Sequence, residues 1–198
     1  MVAAGVVGFP TFFMVWARTP YATGQDEPRM QPIKFDHRHH VRDDGIECTY
    51  CHAGATRSAF AGVPPTSVCM GCHAQIWTQS PELAALRASW IEDRPIVWRR
   101  VHSLPQHVYF NHAIHVNKGV GCVTCHGRVD RMSQVFQVEE LTMSWCLECH
   151  RNPERYLRPP EKVTDMEWVP DRPQLELGRE IAARLAVRSI TDCTGCHR

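Results

Sequence analysis

The sequence predicts a mostly α-helical chain with extensive loops, led by an N-terminal transmembrane helix, and three observations support this. All ten cysteines fall into C-x-x-C pairs, and each pair is followed directly by a histidine. Seventeen uncharged residues, Met1 to Ala17, open the chain and stop at Arg18. Runs of alternating apolar and polar residues that would mark strands are missing, whereas apolar residues do recur at helical spacing in two segments. With 198 residues, 43% apolar, and a formal charge of +1, the composition excludes both a disordered chain and a multi-span membrane protein.

The paired motifs are Cys48-Thr-Tyr-Cys51-His52, Cys69-Met-Gly-Cys72-His73, Cys122-Val-Thr-Cys125-His126, Cys146-Leu-Glu-Cys149-His150 and Cys193-Thr-Gly-Cys196-His197. A disulfide framework does not require this spacing or a histidine behind it. Five C-x-x-C half-sites do not pair evenly into four-cysteine zinc sites. A histidine at all five positions by chance has a probability on the order of 10⁻⁶, taking independence as the reference for C-x-x-C-H. The chemistry that needs this pattern is covalent attachment of c-type haem: two thiols add to the two vinyl groups, and the adjacent imidazole reaches the iron. The sequence therefore predicts five covalently bound haem c groups, attached through Cys48, Cys51, Cys69, Cys72, Cys122, Cys125, Cys146, Cys149, Cys193 and Cys196. His52, His73, His126, His150 and His197 are the expected proximal iron ligands. At about 40 residues per haem the chain is too thin to wrap each porphyrin separately, so the fold is expected to be organised around five packed haems. Their propionates would also turn a nearly neutral chain acidic.

Haem attachment takes place outside the cytoplasm, so export is expected. The leader Met1 to Ala17 would make a helix of about 25 Å, short of the roughly 30 Å hydrocarbon core, and it lacks a basic n-region and an A-x-A-like cleavage site. It reads as an uncleaved anchor in the bacterial inner membrane, with a cleaved signal as the other reading and the haem domain on the periplasmic side. Residues 18–33 hold three prolines and read as a linker. A repeat follows: Phe35, His37 and His40 precede Cys48 and Cys69, and Phe110, His112 and His115 precede Cys122 and Cys146. The expected organisation is an anchor over 1–17, a linker over 18–33, a first di-haem unit with a connecting helix over 34–109, a second di-haem unit over 110–160, and a C-terminal segment with the fifth haem over 161–198. Ser80 as N-cap and Pro81 at the first helical position predict a helix to about Glu92. Leu175, Leu177, Ile181, Leu185 and Val187 predict another from about Pro173 to Arg188.

Seven histidines lie outside the attachment motifs. In F-x-H-x-x-H the two imidazoles share one face of a helical turn, yet each iron offers one free axial position, so the two must serve different haems. His37, His40, His112 and His115 are therefore the expected distal ligands. For the fifth iron the expectation is His102, with Met143 next and His39, His107, Met30 and Met132 in competition, since a thioether also ligates haem iron.

The doubled F-x-H-x-x-H and C-x-x-C-H pattern resembles the class III multihaem cytochromes. It is more closely similar to the pentahaem cytochrome subunits of alternative complex III, through Val101-His102-Ser103-Leu104-Pro105, Phe110-Asn111-His112 and the terminal Asp192-Cys193-Thr-Gly-Cys196-His197-Arg198. The resemblance implies a multihaem cytochrome c fold and an electron-transfer role without a catalytic site of its own. It also implies partnership with polytopic quinol-oxidising membrane subunits, an iron–sulfur subunit, and a monohaem cytochrome c or other periplasmic carrier. A free periplasmic shuttle and a catalytic multihaem reductase are the competing functions. Mass measurement separates the first from an anchored subunit, and carbon monoxide binding at an open iron position marks the second.

Overall fold

The computed structural model describes residues 2–197, which are helix, turn and loop almost throughout. Met1, the first residue of the expected anchor, and Arg198, the last of the C-terminal motif, lie outside the described residues. The α-helices are α1 (Val2–Trp16), α2 (Pro20–Thr23), α3 (Cys48–Cys51), α4 (Thr66–His73), α5 (Ala84–Ile91), α6 (His112–Asn117), α7 (Cys122–His126), α8 (Met143–Arg151), α9 (Gln174–Arg184) and α10 (Cys193–Cys196). A π-helical turn covers Arg38–Asp43, and 3₁₀ turns cover Pro81–Leu83, Val129–Arg131, Pro153–Arg155 and Pro160–Lys162. No β-strand occurs among the described residues, where pairing is limited to isolated bridges such as Val108 with His197 and Val120 with Leu157.

The transmembrane anchor does not survive. Helix α1 has 15 residues, about 22 Å at 1.5 Å per residue, against a hydrocarbon core of roughly 30 Å. Among the described residues no helix is long and apolar enough to cross a membrane, so the expected single N-terminal span, and the inner-membrane location inferred from it, are corrected. The physical reason is visible at the helix end. The amides of Arg18 and Thr19 close tight turns onto Val15 O and Trp16 O, the Thr19 hydroxyl donates to Trp16 O as well, and Pro20 opens α2. Pro10 lies inside α1, where the Thr11 hydroxyl donates to Val7 O. Residues 23–31 pack against the rest of the chain: Gln25 donates to Val138 O, Asp26 N to Gln137 O, and Gln31 exchanges two hydrogen bonds with the Arg99 backbone.

The helix expected after Ser80 forms as the 3₁₀ turn Pro81–Leu83 running into α5, with the Ser80 hydroxyl accepting from Glu82 N. The helix expected from Pro173 ends at Arg184, earlier than the apolar spacing suggested. There Ala186 takes a left-handed φ of 48°, and Lys118 Nζ donates to Leu185 O.

Side chains build little core. The total accessible surface is 13357 Å², whereas a compact chain of this mass exposes about 9,500 Å². The main apolar cluster is Leu157, Leu177 and Ile181, with Val120, Trp168, Leu185 and Val187 packed against it. Helix α9 crosses the Pro153–Arg155 turn at Gly178, where any Cβ would overlap Glu154 O. Gln174 Nε2 pins the same crossing by donating to Glu154 O and Leu157 O. Cys122 N donates to Val163 O and Arg158 N to Gly119 O, so this small core carries α7. Beyond α7, the guanidinium of Arg128 spans Asp130 and Glu167, and Arg131 also reaches Glu167. Asp130 is buried, and the Arg128 guanidinium holds its carboxyl below the usual carboxylate range.

Two stability predictions follow from this packing. Gly178→Ala should destabilise the haem-loaded protein by about 1–3 kcal/mol through the forced separation of α9 from Glu154, read as a lower midpoint in thermal unfolding. Asp130→Asn should cost roughly 1–3 kcal/mol at neutral pH. Because the folded pKa of Asp130 is depressed, its contribution is complete above the unfolded value near 4 and is lost as pH falls through the folded value. The variant and wild-type stability curves should therefore converge in acid.

Candidate haem centres

Each attachment motif sits on a short helical turn: α3, the end of α4, α7, α8 and α10. Residues three apart share a face of such a turn, so both thiols of a motif point the same way. At α3 and α10 the amide of the following histidine closes the turn onto the first cysteine carbonyl, His52 N to Cys48 O and His197 N to Cys193 O. Side-chain caps set the start of others: Thr142 accepts from Trp145 N before Cys146, and Asp192 accepts from Gly195 N at α10.

The imidazoles meet in pairs across these turns. The ring centroids of His40 and His73 are 6.2 Å apart, those of His112 and His126 6.4 Å, those of His115 and His150 5.9 Å, and those of His107 and His197 5.6 Å. His37 lies near enough to His52 for that ring to oppose its protonation. Two imidazoles on opposite sides of one iron need about 6 Å between centroids, given metal–nitrogen bonds of about 2.0 Å, so the spacing at His73, His126, His150 and His197 would suit a haem iron.

The hydrogen bonds select the nitrogen that faces the iron. Nδ1 lies against a peptide carbonyl in His40 (Asp36 O, 2.9 Å), His52 (Gly62 O, 2.7 Å), His73 (Ile76 O, 3.3 Å), His112 (Ala59 O, 2.9 Å), His115 (Asn111 O, 2.8 Å) and His197 (His107 O, 3.1 Å). A carbonyl only accepts, so Nδ1 carries the proton and Nε2 keeps the lone pair a metal requires. Burial holds His37 down to about 4 and His126 to about 3, and it lowers His115 as well. These rings are neutral, as ligation demands.

The repeated phenylalanine has a role that its spacing alone left open. Phe35 stacks on His40 at 4.3 Å and meets His37 edge-on at 4.7 Å; Phe110 stacks on His115 at 4.4 Å and meets His112 edge-on at 4.8 Å. One aromatic ring thus fixes the orientation of both imidazoles in its motif. The signal in the sequence was the phenylalanine two residues before each first histidine.

His102 and His107 are placed differently from one another. His102 lies against His126, with centroids 4.3 Å apart and Nε2 3.3 Å from Nδ1 of His126, while His107 stands opposite His197. The bridge between Val108 and His197, with Tyr109 N donating to Cys196 O, brings the last pair together. Sequence spacing carried no sign of that contact across some ninety residues. Of the other candidates, His39 pairs with Asp43 and Asp44 and stacks on Trp77, Met30 and Met143 are exposed, and Met132 is buried in the core.

The thiols also link the motifs. Cys48 lies beside Cys122, Cys51 beside Cys69, and Cys125 beside Cys149 and Cys146. Cys146 in turn senses Cys196. The attachment turns therefore follow one another in the spatial order second, first, third, fourth, fifth.

Replacing His40 or His112 with Ala removes one member of a 6 Å pair. Each variant should convert one centre from low-spin to high-spin, visible in the EPR spectrum of the oxidised protein, and an unchanged spectrum would refute the pairing.

Residues 108–198 match the family model described as cytochrome c7 and related cytochrome c. The chain is also 36% identical, over 112 residues, to the menaquinone reductase multiheme cytochrome c subunit of Nitratidesulfovibrio vulgaris (strain Hildenborough), a match covering 56% of this chain and 51% of that protein. It thus spans about half the length of that curated relative. Residues 108–198, which carry the last three C-x-x-C-H turns, are thus similar to the cytochrome c7 group.

Proposed function

We propose that the chain holds five c-type haems and works as an electron-transfer subunit of a membrane quinone-linked oxidoreductase of the alternative complex III kind. Its partners in this reading are polytopic quinone-handling membrane subunits, an iron–sulfur subunit, and a monohaem cytochrome c or similar soluble carrier. The observation that carries the proposal is the set of histidine pairs, each with one member directly behind a C-x-x-C turn and its partner about one iron-width away.

The haems, when bound, supply reversible one-electron chemistry. The chain supplies attachment, ligation and order. The ten thiols form the thioether links, and His52, His73, His126, His150 and His197 ligate from the attached side. His37, His40, His112 and His115 ligate from the opposite side. For the fifth centre the distal ligand in this reading is His107, because it faces His197 at 5.6 Å, whereas His102 lies against His126. The succession of neighbouring thiols gives electrons one path, with its ends at the second and fifth attachment turns. A quinone couple exchanges two electrons and two protons, so the protons stay with the quinone-handling partner while electrons pass along this chain singly. Identity with a menaquinone reductase subunit favours a second reading, in which electrons run toward the quinone.

The native complex separates the readings. Quinol should reduce the haems quickly in the intact complex and slowly or not at all in the isolated chain; fast, inhibitor-sensitive reduction of the isolated chain would overturn the proposal. Rapid haem oxidation by added quinone, with no reduction by quinol, would select the second direction. Intact mass should report five haems on ten thioethers. His107→Ala should create one high-spin haem; if it leaves all centres low-spin, the fifth ligand lies elsewhere.

A further inference from the structure

His102 has a place in the structure that ligation does not explain. Its ring meets His126 at 4.3 Å and 81°, too close for an iron to stand between them, since that needs about 6 Å. Nδ1 of His126 lies 3.3 Å from Nε2 of His102, and the ring of His126 runs parallel to that of His112, within 8°, at 6.4 Å. With Nε2 of His126 turned to the iron it would share with His112, the proton sits on Nδ1 and is donated to His102.

The segment that presents His102 is held from outside the centre. Gln31 Nε2 donates to Arg99 O at 2.8 Å, Arg99 N donates back to Gln31 Oε1 at 2.9 Å, and Arg29 donates to Arg100 O. This two-way clamp three residues before His102 fixes the ring beside α7.

The contact differs in kind from those of the other attachment histidines. His52, His73 and His197 donate from Nδ1 to peptide carbonyls. An imidazole nitrogen is a far stronger base than a carbonyl oxygen. A stronger acceptor on Nδ1–H makes the ligating imidazole more electron-rich, and such outer partners tune the metal through the ligand they orient. An electron-rich ligand favours ferric over ferrous iron and so lowers the potential.

We propose that His102 is the hydrogen-bond partner of His126, a positioning residue that keeps the haem at Cys122–His126 at a lower potential than a carbonyl partner would allow. This rests on the five-haem reading above and assigns His102 a function other than iron ligation. The third attachment turn lies mid-way in the spatial order, so the contact would set the height of an internal step in the electron path.

The test is a spectroscopically monitored redox titration of the purified, haem-loaded protein as wild type, His102→Ala and His102→Gln. The glutamine offers a carbonyl-type acceptor like those at the other turns. In both variants every haem should stay low-spin and one midpoint potential should rise, further in His102→Ala than in His102→Gln. A new high-spin signal would show that His102 is itself an iron ligand and overturn the proposal. Unmoved potentials, or equal shifts in the two variants, would overturn it as well. Intact mass and the low-spin signature of the wild type are read in the same samples. Fewer than five haems there would mark failure of the underlying reading rather than of the role given to His102.

Discussion

Two imidazoles held about 6 Å apart, with one of them tied to a helical turn that presents two thiols, form the unit on which the rest of the molecule depends. An imidazole can ligate only if it is unprotonated and its Nε2 is free. The chain provides for both: burial opposes protonation of His37 and His115, and carbonyls such as Gly62 O, Ala59 O and Asn111 O accept a hydrogen bond from Nδ1–H. These carbonyls belong to loops and helix starts whose peptide groups are not committed to a long helix or a sheet. Ala59 O and Asn111 O each accept a backbone N–H as well, from His112 and His115, so one carbonyl with two lone pairs serves both the chain and the ring.

In the proposed reading the F-x-H-x-x-H element lets one short segment serve two centres. Phe35 and Phe110 each press flat on the second histidine and edge-on to the first, so the two rings are set at different angles by one contact. The copies are not identical in backbone. The first runs into a π-helical turn, Arg38–Asp43, and the second begins α6 under an Asn111 cap. The facing rings also differ in mutual orientation, from 8° for His112 and His126 to 79° for His115 and His150. A repeated sequence thus yields histidine pairs with distinct mutual orientations, which in the proposed reading would be one means by which identical cofactors acquire different potentials.

The apolar core is small and local, but its position matters. Leu157, Leu177 and Ile181 pack beside the backbone bonds from Arg158 N to Gly119 O and from Cys122 N to Val163 O, which hold the start of α7. The third attachment turn, which touches the first through Cys48 and Cys122 and the fourth through Cys125, is therefore the one fastened to the best-packed protein.

The five attachment turns, the doubled histidine element and the near absence of strands were legible in the sequence because each is a local signal: thiols two residues apart, imidazoles three apart, and apolar spacing along a helix. The start of the helix after Ser80 was legible for the same reason, through its cap. What the sequence could not decide were contacts between distant segments. The helix from Pro173 stops at Arg184 because Lys118 reaches Leu185 O, and α1 stops at Trp16 through turn closure that hydropathy does not register. Above all, the places of His102 and His107 depend on long-range pairing, Gln31 with Arg99 and Val108 with His197. Residue type and spacing identify a histidine as able to ligate. Which iron it can reach is settled only when the folded chain brings two remote loops within hydrogen-bonding distance.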